Sequence, residues 1–341
     1  MTAILTSSTA LFRVVGFVTI VGVLIKTLNN VLVYLQPSRL AIYAHKSKSG
    51  QEPWAMVTGA SRGVGHAFAR ELATCGFNVV LHGRDDGKMS RVASELQEAF
   101  PNRSFRVIIA DAEAVACKTY LNAPKQPGDT GPAPPDFDAI QRELQDIHLT
   151  VLINNAGGGP PYPTFVSLKE SPEAKVTGNI SLNALFPLFL TRALLPSLKQ
   201  NSPSLVINIS SLAERGLPLL VSYSASKAFL MTATRALRLE MAMEGSGSNV
   251  EILGVAFGKV TGAGGCTEPA SLSVPNVETM AKATLARAGY DNGVVVGYWG
   301  HALQQSLSGI LLLLPRWAGD KLTAMIMRRE REYYDGGKKL V

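Results

Sequence analysis

Short apolar runs alternate with helical patterns through most of the chain. The runs are typical of buried parallel strands and lie near residues 54–58, 77–83, 105–110, 149–154, 204–210 and 249–256, with a further candidate at Val294–Val296. Helical patterns fall between the runs. This alternation predicts an α/β fold built on a doubly wound parallel sheet with helices on both faces.

The amino-terminal flank carries a second hydrophobic pattern. The segment Val14–Leu35 has 22 residues, which is about 33 Å as a helix. That length spans a bilayer if Lys26, Asn29 and Asn30 are tolerated inside it. Three interpretations stay open: a membrane-spanning anchor, a helix lying in the membrane interface, and a cleaved signal peptide.

Basic residues around this segment favour one orientation. Arg13 precedes it, whereas Arg39, Lys46 and Lys48 follow it. Because positive residues concentrate on the cytoplasmic side of membrane segments, the rest of the chain is expected to face the cytosol.

The pattern divides the chain into three parts: an anchor and basic linker at residues 1–49, the α/β domain at 50–300, and a helical tail at 301–341. Within the α/β domain, residues 122–136 contain five prolines and two glycines and are predicted to form a surface insertion before a helix at 137–145. Residues 309–314 are apolar but too few to span a bilayer, so a core or membrane-surface helix is expected there.

Composition narrows the classes of partner. The net charge is +7, and the mean hydropathy of +0.14 favours membrane contact. The charge suits anionic lipid or an acidic substrate, whereas nucleic acid is disfavoured because no basic patch is interleaved with aromatic residues. The three cysteines and five histidines lack disulfide or metal-ligand spacing, so no metal site is predicted and a reducing compartment is favoured.

A glycine-rich turn joins the first strand to the first helix. Gly59 permits a tight turn, Gly63 lets the backbone approach a pyrophosphate, and Gly65 allows close packing of the helix. Ser61, Arg62 and Val64 complete this turn. A strand, a glycine turn and a helix start in this order predict a dinucleotide site.

Tyr223 and Lys227 describe a carbonyl-reducing acid. Residues four apart share one face of a helix, so we expect the Lys227 ammonium to lie beside the Tyr223 phenol and to lower its pKa. Ser210 ends an apolar strand thirteen residues upstream. One hydroxyl would orient a carbonyl oxygen while the other protonates it.

Charge near the second strand favours NADPH over NADH. The strand is followed by Gly83 and Arg84 where a carboxylate for the ribose 2′-hydroxyl is usual, and Arg62 adds a second guanidinium suited to a 2′-phosphate. The alternative is that Arg84 is a solvated charge whose field is partly cancelled by Asp85 and Asp86.

Together these motifs resemble the short-chain dehydrogenase/reductase family over residues 50–265. The matching elements are the Thr58–Gly65 turn, Asp111, the Asn154–Gly157 run, Asn183, Ser210, Tyr223 and Lys227. The resemblance implies a Rossmann fold. It also implies that Asn183 holds a water relaying protons to Lys227, that Asp111 contacts the adenine and Asn155 the adenine ribose, and that Tyr223 and Lys227 contact the cofactor too.

The two ends of the chain refine this resemblance. Lys338 and Lys339 resemble the dilysine retrieval signal of endoplasmic-reticulum membrane proteins. With the hydrophobic amino terminus and the tail sequence, the layout is similar to the very-long-chain 3-oxoacyl-CoA reductase branch. That resemblance implies NADPH-dependent reduction of a 3-oxoacyl-CoA during fatty-acid elongation at the endoplasmic reticulum, and a homodimer.

One segment departs from the family pattern. Many members carry Pro-Gly-x-Val-x-Thr after the sixth strand, whereas this chain reads Phe257–Gly262, with Val260 in the valine position. The resemblance places Val260 at the cofactor, and Gly262, Gly264 and Gly265 predict a flexible substrate lid. Two alternatives stay open: reduction of a steroid, polyketide-like or other lipophilic ketone, and a membrane-tethered NADP-binding protein with little turnover.

Overall fold

The apolar runs of the sequence form the strands of one sheet. The computed structural model describes residues 16–18, 20–22, 31–115, 134–159, 165–245, 249–309 and 315–336. The strands are β1 Pro53–Thr58, β2 Asn78–Gly83, β3 Phe105–Ile109, β4 His148–Asn154, β5 Ser204–Ser211, β6 Val250–Phe257 and β7 Val294–Val296. All seven predicted strands are therefore confirmed.

The strands are parallel and follow the order β3-β2-β1-β4-β5-β6-β7. The order reverses between β1 and β4, and ligands of such sheets bind in the crevice at the carboxyl ends of the strands near this point. Every residue of β2 and β4 is buried, as expected where helices cover both faces of a parallel sheet.

Nine α-helices connect and flank the strands in the described part of the chain. They are α1 Gly63–Thr74, α2 Asp86–Ala99, α3 Phe137–Glu143, α4 Glu173–Ile180, α5 Phe186–Gln200, α6 Val221–Met243, α7 Val277–Leu285, α8 Trp299–Gly309 and α9 Arg316–Gly336. A π-helical turn, Ser181–Leu185, joins α4 to α5. The last two helices form the predicted C-terminal helical tail.

Two apolar cores lie on opposite faces of the sheet because successive strand residues point to opposite sides. Val57 belongs to one core with residues of α1, α2 and α7, whereas Met56 belongs to the other with residues of α3, α5 and α6. The predicted doubly wound arrangement is thus confirmed.

A short 3-10 helix, Leu40–Tyr43, packs into the first of these cores. Leu40 and Tyr43 are buried, the Tyr43 hydroxyl donates to Glu251, and Thr150 Oγ1 donates to the Tyr43 carbonyl at 2.7 Å. The sequence predicted a basic linker in this region, because an apolar run as short as Leu40–Tyr43 carries no periodic signal.

The chain divides into two units, residues 1–37 and 38–341. In the first unit, residues 16–18, 20–22 and 31–35 are helical, and the side chains of Phe17 and Leu35 are exposed. Much of the predicted anchor, including Lys26, Asn29 and Asn30, lies outside the described residues.

One helix in the described part of the chain, Glu173–Gln200, is long and apolar enough to cross a membrane. It runs from α4 through the π-helical turn to the end of α5. Phe186, Leu190 and Leu194 on its inner face are buried in the core beside the sheet. These contacts account for its hydropathy, since a helix that covers a parallel sheet needs an apolar face.

Three sequence predictions fall wholly or mainly outside the described residues. They are the surface insertion at 122–136, of which only the last three residues are described, the apolar residues 310–314, and the dilysine end at Lys338 and Lys339.

Candidate active site

The glycine turn lies at the carboxyl end of β1 and adopts the backbone that its glycines permit. Gly59 has φ +67° and Gly63 has φ +61°, a left-handed region that other residues rarely adopt. A β-carbon on Gly65 would lie 2.2 Å from the Gly59 carbonyl oxygen. The third glycine is therefore required for α1 to begin against the turn.

The amino end of α1 offers unpaired donors beside this turn. Arg62 is the residue before the helix, and its side chain makes no capping hydrogen bond. The first N–H groups of a helix without a side-chain cap favour an anion. Arg62 is exposed and Ser61 half-buried, whereas Val64 is buried in the core.

Thr58 and Asn155 tie the carboxyl ends of β1 and β4 together. Thr58 Oγ1 accepts hydrogen bonds from the backbone N–H groups of Asn155, at 2.9 Å, and Ala156, at 2.8 Å. Asn155 Nδ2 donates to the Thr58 carbonyl at 2.9 Å. In this structure the Asn155 side chain therefore braces the glycine turn.

Asn183 lies in the π-helical turn, a form of helix often found at functional sites. Its Oδ1 accepts from the Gly158 N–H at 3.0 Å, and its Nδ2 donates to the carbonyls of Gly158 and Asn179 at 3.0 and 2.9 Å. A β-carbon on Gly157 would lie 2.8 Å from Asn183 Oδ1 and 2.9 Å from Lys227 Nζ. The fold therefore brings Asn183 Oδ1 and Lys227 Nζ together beside one glycine.

Tyr223 and Lys227 share one face of α6, and Lys227 Nζ lies 5.9 Å from the centre of the Tyr223 ring. The expected lowering of the phenol pKa is not found. Burial raises the pKa of Tyr223, and a hydrogen bond with the Ser211 side chain only partly opposes this. Lys227 Nζ instead donates to the Ile209 carbonyl at 2.8 Å.

The environment of Lys227 explains why the pKa of Tyr223 is not lowered. Burial lowers the pKa of Lys227 to about 8, although the nearby Glu214 carboxylate acts to raise it. A buried ammonium loses hydration, so its charge is less favourable than in water. The lysine is thus a weaker source of positive potential than its spacing alone predicted.

Two neighbouring serines end β5, and they have different surroundings. Ser210 is 2% exposed and donates to Glu214 Oε2 at 2.7 Å, with the Lys227 carbonyl at 3.3 Å as a second acceptor. Ser211 is half-buried, accepts from the Ala213 N–H at 3.2 Å and hydrogen-bonds with Tyr223. Its oxygen is thus held in place beside the phenol.

Glu214 contributes a carboxyl group to this site that no sequence motif predicted. It lies on the 3-10 helix Leu212–Arg215. Burial raises the pKa of Glu214, while its hydrogen bond with Ser210 and the charges of Arg215 and Lys227 act to lower it. The Glu214 carboxyl group therefore hydrogen-bonds to Ser210 and interacts electrostatically with Lys227.

Arg84 follows β2, as predicted, but an unexpected carboxylate faces it. Arg84 Nη1 lies 3.0 Å from Glu113 Oε1, and both side chains are about half exposed or more. Asp85 is engaged elsewhere: it caps α2 by accepting from the Lys88 N–H at 3.0 Å. Thus Glu113, rather than Asp85, is the acidic neighbour that opposes an anion at Arg84.

Asp111 lies just after β3 at the same edge of the sheet. Its side chain accepts from the Glu113 N–H at 3.0 Å and so begins the 3-10 helix Ala112–Ala114. Asp111 thereby fixes the backbone that carries Glu113 toward Arg84.

The segment after β6 packs on the glycine turn. A β-carbon on Gly63 would lie 3.5 Å from the Gly262 carbonyl oxygen and 3.8 Å from the Ala263 β-carbon. Val260 is 4% exposed and belongs to the core. The predicted lid is therefore closed onto the turn in this structure, and Val260 anchors its start.

The predicted site residues thus gather at one edge of the sheet, and three further residues lie among them. Ser211, Glu214 and Glu113 were missed. The signal available for the first was its place directly after Ser210 at the end of β5. No group of three or more His, Cys, Asp or Glu residues able to hold a metal occurs among the described residues.

Comparison with known proteins gives consistent matches. A model of the short chain dehydrogenase family matches residues 53–125 and 137–265. A very-long-chain 3-oxoacyl-CoA reductase of Coccidioides immitis is 31% identical and covers 73% of this chain and 67% of its own. The corresponding reductase of Caenorhabditis briggsae is 26% identical over 93% of this chain and 96% of its own. A solved metagenomic short-chain oxidoreductase in complex with NADP aligns with a TM-score of 0.53 and 26% identity, over 72% of this chain and 96% of its own.

Proposed function

The chain belongs to the short chain dehydrogenase family, and we propose that it reduces a 3-oxoacyl-CoA with NADPH during fatty-acid elongation. The observation that carries this proposal is the convergence of Tyr223, Lys227 and Asn183 with the glycine turn at one edge of the sheet. The names of the two reductase relatives support the substrate class.

The residues present fit NADP(H). Gly59, Gly63 and Gly65 leave room where β-carbons would obstruct the turn, and the uncapped start of α1 suits a pyrophosphate. Arg62 and Arg84 are exposed cations that would hold the 2′-phosphate. We retain Asp111 and Asn155 as proposed adenosine contacts and Val260 as a proposed nicotinamide contact.

Tyr223 would donate the proton that the reduced carbonyl oxygen needs. NADPH, when bound, supplies the hydride. Because burial raises the pKa of Tyr223, the phenol keeps its proton at neutral pH, which is the form that reduction requires. Lys227 would support the phenolate left after proton transfer, and Asn183 would hold a water that returns a proton through Lys227.

A serine hydroxyl would orient the substrate carbonyl. The sequence assigned this role to Ser210, and the geometry favours Ser211 as a second candidate. Ser210 is buried and its hydrogen is directed to Glu214, whereas Ser211 is half-buried beside the phenol. A hydroxyl has one hydrogen, so a serine committed to a carboxylate has none for the substrate.

We propose an endoplasmic-reticulum membrane location with the catalytic domain facing the cytosol. The hydrophobic amino terminus and the dilysine end support it. We also keep residues 50–300 as the catalytic domain between an anchor at 1–49 and a tail at 301–341, and a homodimer as the assembly. A steroid or another lipophilic ketone is the second candidate substrate, because Phe257–Gly262 departs from the usual sequence.

A substrate panel on membranes containing the full-length protein tests the proposal. We expect long-chain 3-oxoacyl-CoA to cause NADPH oxidation, measured as the loss of absorbance of the reduced nicotinamide, and Tyr223→Phe to abolish it. Tyr333→Phe, at an exposed tyrosine, is the matched control. Turnover of steroids or free ketones without the CoA ester would replace the substrate, and tight NADPH binding without any turnover would favour a non-catalytic protein.

A further inference from the structure

Residues 258–268, hereafter the lid, connect the end of β6 to the surface above the glycine turn. The lid begins at a fixed point. The Gly258 N–H donates to His301 Nδ1 at 3.1 Å, and His301 Nε2 lies 2.9 Å from the Lys259 carbonyl. Because Nδ1 accepts, Nε2 carries the hydrogen and donates to that carbonyl, so the imidazole is neutral. His301 is fully buried, and its two hydrogen bonds hold Gly258 and Lys259 against α8.

Lys259 then joins the lid to the C-terminal helix α9. Its Nζ lies 2.6 Å from Glu268 Oε1, at the far end of the lid, and 2.8 Å from Glu330 Oε2 on α9. The same ammonium lies 5.7 Å from the centre of the Tyr334 ring. Lys259, at the start of the lid, therefore contacts Glu268 at its far end and two residues of α9, Glu330 and Tyr334.

These contacts lie on one face of α9. Met327, Glu330 and Tyr334 are spaced three and four residues apart, which places them along one side of a helix. Met327 is 5% exposed, and Tyr334 also packs against Phe165, with ring centres 5.4 Å apart. This face docks α9 against both the lid and the segment that carries Phe165.

The Lys259 cluster differs from an isolated surface ion pair. The side chain of Lys259 is 39% exposed, that of Glu268 26% and that of Glu330 31%. One ammonium group is paired with two carboxylates. Burial acts to lower the pKa of Lys259, yet the hydrogen bonds to Glu268 and Glu330 outweigh it and hold the pKa above its ordinary value. The lysine therefore stays charged while the lid is closed.

The middle of the lid contrasts with its ends. Gly264 and Gly265 have positive φ angles of 59° and 79°, and β-carbons added to them would meet no atom within 4 Å. The residues on either side of these glycines are held: the Thr261 N–H donates to the Pro275 carbonyl at 2.9 Å, and Cys266 is buried. Closure over Gly63 is therefore held by the contacts of Thr261 and Cys266 and by the two ends of the lid, one of which contacts α9.

We propose that Lys259, Glu330 and Tyr334 form a latch through which the C-terminal helix holds the lid over the cofactor turn and sets the dissociation rate of NADP(H). The latch rests on the proposed function only in that the protein binds this cofactor. Opening the lid would require the Lys259–Glu330 contact to break, and lid opening commonly limits release of bound molecules.

Glu330→Gln and Glu332→Gln make a matched test, because Glu332 lies two residues away on the exposed side of the same helix. In the full-length protein, stopped-flow fluorescence would follow NADPH displaced by excess NADP⁺. We expect Glu330→Gln to raise the dissociation rate about two- to fivefold, the upper part of the range measured for exposed ion pairs, and Glu332→Gln to leave it unchanged. Lys259→Met should reproduce the effect of Glu330→Gln.

Hydrogen exchange separates the latch from a general effect of charge. Amides of residues 258–268 should exchange faster in Glu330→Gln than in Glu332→Gln. Equal dissociation rates in the wild type and Glu330→Gln, or equal acceleration by both glutamine variants, would overturn the latch. NADPH binding without ketone reduction would sink only the proposed reaction, whereas a wild-type protein that binds no NADPH would overturn both.

Discussion

Tyr223 holds its proton through burial, and the surrounding residues determine how readily that proton is given up. Lys227 is charged below a pKa of about 8, and Glu214 supports that charge from the next element. The chemistry of the site therefore depends on three neighbouring groups: the Glu214 carboxyl, the Lys227 ammonium and the Tyr223 phenol. Only the lysine and the tyrosine were expected from their spacing.

The first prediction concerns the pH dependence of reduction. Loss of the Lys227 proton removes support for the phenolate, so kcat/KM at saturating NADPH should fall as pH rises through about 8. Because Glu214 raises the pKa of Lys227, Glu214→Gln should move this fall to lower pH. Rate profiles between pH ~6 and ~10 would check it, with exposed Glu240→Gln as the control. A fall that stays in place or moves to higher pH contradicts the coupling.

The second prediction separates the two serines. Ser211→Ala should lower kcat by about 10²-fold, the usual cost of losing a donor to a developing oxyanion. Ser210→Ala should cost about tenfold or less, because its hydroxyl donates to the half-buried Glu214 carboxyl group. Steady-state kinetics of both variants would decide. If Ser210→Ala is the more damaging change, the original assignment to Ser210 stands.

At the scale of elements, the sheet was predictable because each strand is a short apolar run with a clear end. The glycine turn was predictable for a related reason, since only glycine fits φ +67° at Gly59 and the 2.2 Å approach at Gly65. Pairings between distant elements were not predictable. Nothing in the sequence connects Arg84 with Glu113, because their contact exists only once β2 and β3 lie side by side.

The third prediction tests this pairing at the ends of β2 and β3. Glu113→Gln removes a negative charge 3.0 Å from the Arg84 guanidinium, so the variant should bind NADPH about two- to fivefold more tightly, a range that matches an exposed ion pair. NADH, which has no 2′-phosphate, should be unaffected. Fluorescence titration with both nucleotides measures the effect. Equal changes for NADPH and NADH would show that Arg84 does not contact the 2′-phosphate.

At the scale of the molecule, the core and its carboxyl edge form one catalytic body, and the C-terminal helix reaches back to that edge. The sequence indicated the tail as a helix but not its docking on Lys259, a contact between residues far apart in the chain. The packing of Leu40–Tyr43 was missed for the same reason. In both cases the partner surface exists only after the sheet has formed.

The transfer of hydrogen from labelled cofactor to product tests the central claim most directly. The purified full-length protein would be given NADPH deuterated at its transferable position and a long-chain 3-oxoacyl-CoA, and the product mass would be measured. We expect a 3-hydroxyacyl-CoA carrying one deuterium at C3, and a rate lower by about 10³-fold in Tyr223→Phe. A product without deuterium, or a Tyr223→Phe variant as fast as the wild type, would contradict hydride transfer with Tyr223 as the proton donor.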